Sequence, residues 1–280
     1  MEQKHGEISP SLIRQYRNGY ETDSSIPFAS NVVGRQGIAA AARTHLPKHM
    51  HQYSHVLPRQ AKCASQGAAG TCWLYAATNA VRLQLMESCN LEDSFELSQN
   101  YLYFWDKFEK ANFYLETILE TLQEPLNSRL FDHLNKAPLN DGGQYAMFVN
   151  LVEKYGMVPK SVFPSTHDTT ASRPMKWVLT LRLRTWARDI HRLHRSGQSI
   201  AQIRQAKEEW MGEVYRTLAI TLGNPPAVDE EFTWQYKEKK GGKLCTRTQL
   251  TPRSFLAQCL SSESEQKTSE QPDSATQAEV

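Results

Sequence analysis

The residues best suited to chemistry lie between Gln66 and Trp73. Within this stretch Cys72 follows Gly70 closely and begins a segment that contains neither Gly nor Pro as far as Ser88. A cysteine in the first turn of a helix lies beside unpaired backbone N–H groups and the positive end of the helix dipole, and both favour the nucleophilic thiolate. The pattern therefore predicts a reactive thiol at Cys72.

Three neighbours of Cys72 have separate expected roles. Gln66, six residues upstream, carries an uncharged amide that can join the Cys72 backbone N–H in stabilising the oxyanion of a tetrahedral intermediate. Gly70 allows the backbone to approach a substrate closely, and Trp73 is expected to anchor the turn beneath the nucleophile. Cys72 and Gln66 are thus the predicted catalytic residues, while Gly70 and Trp73 are predicted to help bind substrate.

Helical patterns dominate the segments that must position these residues. Apolar residues lie nearly all round a helical wheel from Cys72 to Ser88, as in a buried helix. Ser98 is the predicted N-cap of a second helix, which Pro125 ends. A third helix is predicted from Gln144 to Tyr155, and Gly156 closes it.

A basic helical hairpin is predicted after Pro174. Apolar residues recur at steps of three and four up to Leu193 and again from Ile203, with Ser196-Gly197 as the break. From residue 173 to residue 216 there are ten Lys or Arg against four Asp or Glu. A solvated helix face, a subunit contact and a nucleic-acid surface would each account for this charge.

Composition excludes several classes of protein. The net charge of +2 gives no general attraction to a polyanion, and no apolar run approaches the ~20 residues needed to cross a bilayer. The five cysteines form no Cys-x-x-Cys pair and are too few for a disulfide scaffold. The sequence therefore predicts a protein without membrane contact, in the reducing cytoplasm.

Neither a metal nor a cofactor is expected. Histidines cluster between His45 and His55, but no carboxylate or thiolate accompanies them at ligand spacing. His191 and His194 share a helix face with Arg188, Arg192 and Arg195, whose charges would oppose a bound cation. Both groups are interpreted as structural.

Residues 66–74 resemble the papain-like cysteine proteases, in which a glycine-rich turn precedes Cys and then Trp. Further blocks in the same order narrow the resemblance to the bleomycin hydrolase family, the cytosolic aminopeptidase branch of those proteases. These blocks are Asn79 with Arg82, then residues 96–107, 140–144, 152–160 and 222–226. The resemblance extends over roughly residues 25–258. It implies an α+β fold that is predominantly α in this chain, with the papain-like left-hand helical domain, a helical insertion and no strand-rich right-hand half.

The resemblance also implies an activity and partners. Such an enzyme hydrolyses amide bonds at peptide amino termini and in bleomycin-like compounds, with no cofactor. Gly142 and Gly143 would then line the cleft and pair with the substrate backbone, although a simple turn at the start of a helix explains the same residues. Family members assemble as hexamers with a positively charged channel and can bind nucleic acid, for which the basic hairpin is the expected surface.

The sequence departs from this family in its proton-transfer residues. A papain-like protease needs a histidine to accept the cysteine proton and an asparagine to orient that histidine. The histidines after Cys72 are His133, His167, His191 and His194, and none matches the family's histidine motif. No Asn-Ser-Trp block follows either. The chain is therefore expected to be an amino-terminal portion with little activity of its own. The alternative function is that of a catalytically silent form, which docks on other subunits or binds nucleic acid.

The expected organisation has five parts. They are an extended, partly helical lead-in (1–60), the papain-like domain with the catalytic cysteine (61–172), the helical hairpin insertion (173–226), the start of a truncated remainder (227–260) and a disordered polar tail (261–280).

Overall fold

The computed structural model describes residues 8–43, 53–54, 61–239 and 241–261 of the 280. Its helices and strands divide between two units, residues 1–57 and residues 58–280. Most of the expected polar tail, residues 262–280, lies outside the described residues, and so do His45, His49, His51 and His55.

The described residues of the first unit form three helices, α1 (Pro10–Thr22), α2 (Ser25–Gln36) and α3 (Ile38–Ala41). Ser9 caps α1 by accepting a hydrogen bond from the Leu12 N–H at 3.2 Å, and Pro10 occupies the first helical position. Gly37 ends α2 with a φ of 77°, a conformation that glycine adopts readily. This segment was expected to be extended and partly helical, and these start and stop signals make it mainly helical from residue 10 to residue 41.

The second unit contains eight helices and two strands among the described residues. They are α4 (Cys72–Ser88), α5 (Gln99–Glu120), α6 (Arg129–Lys136), α7 (Tyr145–Tyr155), α8 (His167–Thr170), α9 (Arg173–Arg195), α10 (Ile200–Leu222), β1 (Phe232–Lys237), β2 (Leu244–Leu250) and α11 (Phe255–Leu260). The described chain is thus α+β and predominantly α, as the sequence predicted.

Helix α5 is the central element of this unit, and it contacts α4, α7, α9 and α10. Ser98 begins it as predicted, because its hydroxyl accepts the Tyr101 N–H at 3.1 Å. Residues on every side of α5 are buried, and Trp105 stacks on Tyr155 of α7 with ring centroids 4.1 Å apart. The side-chain amide of the buried Asn100 donates to the carbonyls of Pro164 and Leu222, which fixes the end of α10 against α5.

Helices α9 and α10 form the predicted hairpin, with Gly197 in the turn at a φ of 87°. The indoles of Trp186 and Trp210 stack between the two helices at 5.8 Å. The buried apolar residues of the hairpin belong to the same hydrophobic core as those of α4, α5 and α7. The hairpin therefore shares its core with the segment that contains Cys72.

Strands β1 and β2 pair antiparallel, with a register irregularity between Phe232 and Trp234. Trp234 is buried and packs edge-on against Phe255 of α11, with ring centroids 5.3 Å apart. The sequence indicated only residues 233–236 as a strand. β2 has no matching apolar alternation, because polar and charged residues fill most of its positions.

No described helix has both the length and the apolar composition that a membrane span requires.

Candidate active site

Cys72 is the first residue of α4, and its side chain is exposed. Thr71 occupies the N-cap position, but its side chain makes no capping hydrogen bond. The first N–H groups of α4 therefore have no side-chain cap from the described residues and remain able to stabilise a nearby negative charge. This is the placement that the sequence predicted for a nucleophilic thiol.

Gln66 lies in the turn that leads into α4. Its Nε2 donates to the carbonyl oxygen of Ala69 at 2.9 Å. A side-chain amide has two N–H groups, so this bond uses one of them and leaves the second for another acceptor. A second hydrogen bond holds this segment in place, because the Ala68 N–H donates to the carbonyl of Thr170 in α8 at 2.8 Å.

Gly70 and Trp73, which flank Thr71 and Cys72 in the sequence, both contact the turn at residues 141–143. A Cβ on Gly70 would lie 2.3 Å from the Cβ of Asp141, and a Cβ on Gly143 would lie 2.4 Å from the Trp73 ring. The Trp73 indole N–H donates to the carbonyl of Asp141 at 3.0 Å. Neither glycine can therefore be replaced without moving one of these segments. The turn at 141–143 does more than begin α7, because it packs directly on the segment that contains Cys72.

The predicted substrate-binding residues differ in exposure. Gly142 is exposed, and a Cβ there would meet nothing within 4 Å. Gly143 and Trp73 are half-buried and cover each other. Gly142 is thus the member of the pair with open space around it, whereas Gly143 is required by the approach of Trp73.

A group of charged side chains adjoins this turn, and it was not predicted from the sequence. The Lys107 ammonium is fully buried, lies 3.2 Å from Asp106 and 3.3 Å from Asp141, and donates to the carbonyl of Asn140 at 2.7 Å. Lys176 of α9 pairs with the other carboxylate oxygen of Asp141. Because Asp141 lies more than thirty residues from both Lys107 and Lys176 in the chain, local spacing could not reveal these two pairs.

Lys110 holds the same turn from the solvent side. Its ammonium donates to the carbonyl of Gly142 at 2.7 Å and to that of Asn140 at 3.1 Å, and it lies 5.5 Å from the centre of the Trp73 ring. The carbonyl of Gly142 thus already accepts one hydrogen bond, whereas no hydrogen bond within the described residues uses the Gly142 N–H.

Burial and charge act against each other at Asp141 and Lys107. Burial opposes ionisation of Asp141, but the hydrogen bond from Lys176 and the charge of Lys107 outweigh it and hold the pKa of Asp141 below its usual value. Burial lowers the pKa of Lys107, while the carboxylates of Asp106 and Asp141 oppose that shift. The two groups thus depend on each other to remain charged.

The histidines do not join this site in the described part of the chain. His133 lies in α6, His167 in α8, and His191 and His194 in α9. His191 is buried with its ring edge-on to Phe131 at 5.3 Å. No hydrogen bond joins any of them to Cys72 within the described ranges.

Ion pairs reduce the charge that the basic hairpin presents to solvent. Six of its ten basic residues lie within 4 Å of a carboxylate: Lys176, Arg182, Arg188, Arg192, Arg204 and Lys207. Two of the carboxylates, Asp141 and Glu116, lie outside the hairpin. The hairpin is thus partly neutralised by its own Asp189 and Glu213, by Glu116 of α5 and by Asp141.

Comparison with known proteins identifies the family. The model of the Peptidase C1-like family matches residues 7–278. The chain is 42% identical over 192 residues to bleomycin hydrolase of Rattus norvegicus, and the aligned residues cover 68% of this chain and 41% of the relative. It is 38% identical over 241 residues to aminopeptidase C of Listeria monocytogenes, and this alignment covers 85% of the chain and 52% of the relative.

A solved structure gives the same result for the fold. The crystal structure of PepW from Lactobacillus rhamnosis matches with a TM-score of 0.84 and 35% identity, over 91% of this chain and 56% of the other. The chain thus spans about half the length of these relatives. The papain-like fold expected from the resemblance is confirmed. The chain belongs to the Peptidase C1-like family, within its bleomycin hydrolase and aminopeptidase C branch.

Proposed function

We propose that Cys72 is the nucleophile of a cysteine aminopeptidase that hydrolyses amide bonds at peptide amino termini and in bleomycin-like compounds. The observation that carries the proposal is the exposed thiol at the first residue of α4, whose flanking residues Gly70 and Trp73 both contact the turn at residues 141–143. The names of the relatives, bleomycin hydrolase and aminopeptidase C, agree with this activity.

In the proposed reaction, the Cys72 sulfur attacks the carbonyl carbon of the scissile amide. The Cys72 backbone N–H and the second N–H of Gln66 would stabilise the oxyanion, because one Gln66 N–H is already committed to Ala69. The exposed Gly142 would pair with the substrate backbone through its N–H. The leaving amine must receive a proton as its bond to the carbonyl carbon breaks, and the acyl group then remains on Cys72 as a thioester. Water hydrolyses that thioester.

Proton transfer is the step for which the described residues supply no group. In papain-like proteases a histidine oriented by an asparagine performs it. We propose that the chain corresponds to the amino-terminal portion of such an enzyme, consistent with its match to about half the length of its relatives. The 280-residue chain would then bind and react with electrophiles at Cys72 without efficient amide turnover.

Labelling with an aminoacyl chloromethyl ketone tests the assignment without requiring turnover. We expect stoichiometric alkylation of Cys72, located by peptide mapping, and slower labelling by the N-acetylated reagent, because an aminopeptidase recognises a free amino group. The Cys72→Ala variant should remain unlabelled at this site, whereas the exposed Cys63 serves as the internal control. Equal labelling of Cys63 and Cys72, with no preference for the free amino group, would contradict the proposal.

Nucleic acid is a second proposed partner. Four of the ten basic residues of the hairpin form no ion pair within the described residues: Arg173, Arg184, Arg195 and Arg216. Arg184 instead donates to the carbonyl of Asn135 at 2.9 Å, so the charges to test are those of Arg173, Arg195 and Arg216. Binding by the catalytically silent alternative would depend on these charges and would weaken steeply with salt. Loss of single-stranded DNA binding in an Arg173→Gln, Arg195→Gln, Arg216→Gln variant would support this alternative, and unchanged binding would exclude this surface.

A homo-oligomer is also proposed, with a hexamer implied by resemblance. Trp177, Val178 and Leu181 form an exposed apolar group on α9, and Trp177 is 64% exposed. Sedimentation velocity of the chain and of a Trp177→Ser variant tests whether this group mediates assembly.

The proposed location is the cytoplasm, where a reducing environment keeps the five free cysteines as thiols.

A further inference from the structure

Two buried cysteines lie in contact at the far end of the helix that begins with Cys72. Cys89 directly follows α4 as its C-cap, and Cys259 lies in α11. Only 4% of Cys89 and 2% of Cys259 is exposed. Cysteine is often buried as a small apolar residue, so burial alone carries no function. The contacts of these two thiols distinguish them from the other three cysteines.

The side chain of Cys89 contacts Cys259 directly. The Cys89 thiol donates to the backbone carbonyl oxygen of Cys259 at 3.7 Å. The guanidinium of Arg247 in β2 donates to the Cys259 sulfur at 3.7 Å and to the carbonyl of Gln258 at 2.9 Å. A cation thus lies directly beside the Cys259 sulfur, and the backbone carbonyl of the same residue accepts the Cys89 thiol.

The interaction between the two side chains shifts their pKa values in opposite directions. The hydrogen bond from Cys259 lowers the pKa of Cys89, and the nearby charge of Arg247 adds to that effect, whereas burial opposes it. The same hydrogen bond raises the pKa of Cys259. A thiolate held against a thiol, with an adjacent guanidinium, is the arrangement that favours thiol–disulfide exchange.

We propose that Cys89 and Cys259 are a redox-sensitive pair, which a low-molecular-weight disulfide such as glutathione disulfide converts into an intramolecular disulfide. In the first step, the Cys89 thiolate attacks one sulfur of the small disulfide, whose S–S bond breaks and releases one small thiolate. In the second step, Cys259 loses its proton to solvent and attacks the Cys89 sulfur of the mixed disulfide, releasing the second small thiolate. Two protein thiols are oxidised, one small disulfide is reduced, and the two protons end on the small thiols.

Access to the buried pair depends on α11. This helix has six residues, and Phe255 and Cys259 are the two that are buried. Because few of its residues are buried, we expect α11 to open locally at a lower free-energy cost than the core around α5. The exposed Cys63 and Cys72 have no neighbouring cysteine among the contacts of the described chain, so each is expected to form only a mixed disulfide.

The bond would connect α11 covalently to the end of α4. Because α4 begins with Cys72, oxidation would couple the position of α11 to the helix that carries the proposed nucleophile. A cross-link between residues so distant in sequence also restricts the unfolded chain, which favours the folded state. Oxidation is therefore expected to raise the urea midpoint of unfolding.

The test uses a Cys63→Ser, Cys72→Ser, Cys245→Ser variant of the full chain, in which Cys89 and Cys259 are the remaining cysteines. After incubation with glutathione disulfide, we expect a mass decrease of two hydrogen atoms, a cross-linked peptide that contains both residues, and a higher urea midpoint. Dithiothreitol should reverse all three. The matched control, which also carries Cys259→Ser, should give at most a glutathione adduct on Cys89 and no higher midpoint.

Two results would overturn the proposal. One is a pair that stays reduced under conditions in which a small model dithiol is oxidised. The other is the accumulation of separate glutathione adducts on Cys89 and Cys259. If the triple variant fails to fold, the exposed thiols of the unmodified chain are blocked with N-ethylmaleimide under native conditions before the same oxidation and mapping. The same two results decide the question there.

Discussion

The indole ring of Trp73 occupies the space into which a side chain at position 143 would project. A Cβ built on Gly143 would lie 2.4 Å from two ring carbons, which is far inside van der Waals contact. The adjacent Gly142 has open space at the same point. Packing against Trp73 therefore requires glycine at position 143 but not at position 142, and alanine substitutions can test this difference.

We expect Gly143→Ala to destabilise the protein and Gly142→Ala to leave its stability nearly unchanged. The added methyl group at residue 143 must displace Trp73 or the turn, and overpacking of this kind costs about 1–3 kcal/mol. Urea unfolding followed by tryptophan fluorescence measures both variants. Equal free energies of unfolding for the two variants would show that Trp73 does not pack on residue 143 as described.

Asp141→Asn should destabilise the protein at neutral pH. Buried Lys107 would lose one of its two carboxylate partners and Lys176 would lose its partner, and a hydrogen bond to a charged group is worth about 1.5–3 kcal/mol. The exposed Asp132 provides the control variant, Asp132→Asn, for which no such loss is expected.

The same substitution should change how stability depends on acid. The pKa of Asp141 is lower in the folded state than its usual 3.8, so its contribution is complete above pH 3.8 and is lost as the pH falls through the folded pKa. The free energies of unfolding of the unmodified chain and of Asp141→Asn should therefore converge in acid. A constant difference at all pH values would show that the carboxylate charge is not what stabilises the turn.

His191 should make the protein less stable in mild acid. Burial, and then the charges of Arg195 and His194, lower the pKa of His191 below its usual 6.5. The unfolded chain then binds a proton at this histidine more readily than the folded chain does. The contribution of His191 to the free energy of unfolding is therefore complete above pH 6.5 and is lost as the pH falls below that value. His191→Gln should reduce this slope between about pH 7.5 and pH 5.5, whereas His133→Gln, on the exposed side of α6, should not.

Local signals in the sequence predicted the elements that they begin and end. Ser98 caps α5, Gly156 ends α7, and Ser196 with Gly197 separates α9 from α10. Each signal acts through the backbone of its own turn, so its effect is readable from a few consecutive residues. The position of Cys72 at the start of α4 was predictable for the same reason.

Contacts between distant segments were not predictable in this way. Asp141 was identified only as a turn residue, since its partners Lys107 and Lys176 come from two other helices. The second strand, β2, was missed because its side chains are polar and its pairing with β1 is a property of two segments. The contact between Cys89 and Cys259 was missed likewise, because nothing near either residue in the sequence indicates the other.

Cys72 should be alkylated faster than the other cysteines in the native chain. Cys89 and Cys259 are buried and Cys245 is half-buried, so Cys63 is the competing exposed thiol. The N-terminus of α4 stabilises negative charge on the Cys72 sulfur, whereas Cys63 lies outside any helix. Brief treatment with iodoacetamide, followed by peptide mapping, measures the two rates. Faster modification of Cys63 would contradict the expected effect of the helix terminus.

The 280-residue chain should hydrolyse aminoacyl-coumarin amides very slowly, even though Cys72 is accessible. A thiolate can attack a chloromethyl ketone unaided, but amide cleavage also requires a proton for the leaving amine, and general acid–base catalysis contributes about 10²–10⁴ in rate. Within the described ranges no histidine hydrogen-bonds to Cys72, so that contribution is absent from the geometry observed. The measurement compares the chain with its Cys72→Ala variant and with an intact cysteine aminopeptidase. Turnover that depends on Cys72 and approaches the intact enzyme's rate would contradict the expectation. Variants with His133→Ala, His167→Ala, His191→Ala and His194→Ala would then locate the proton acceptor.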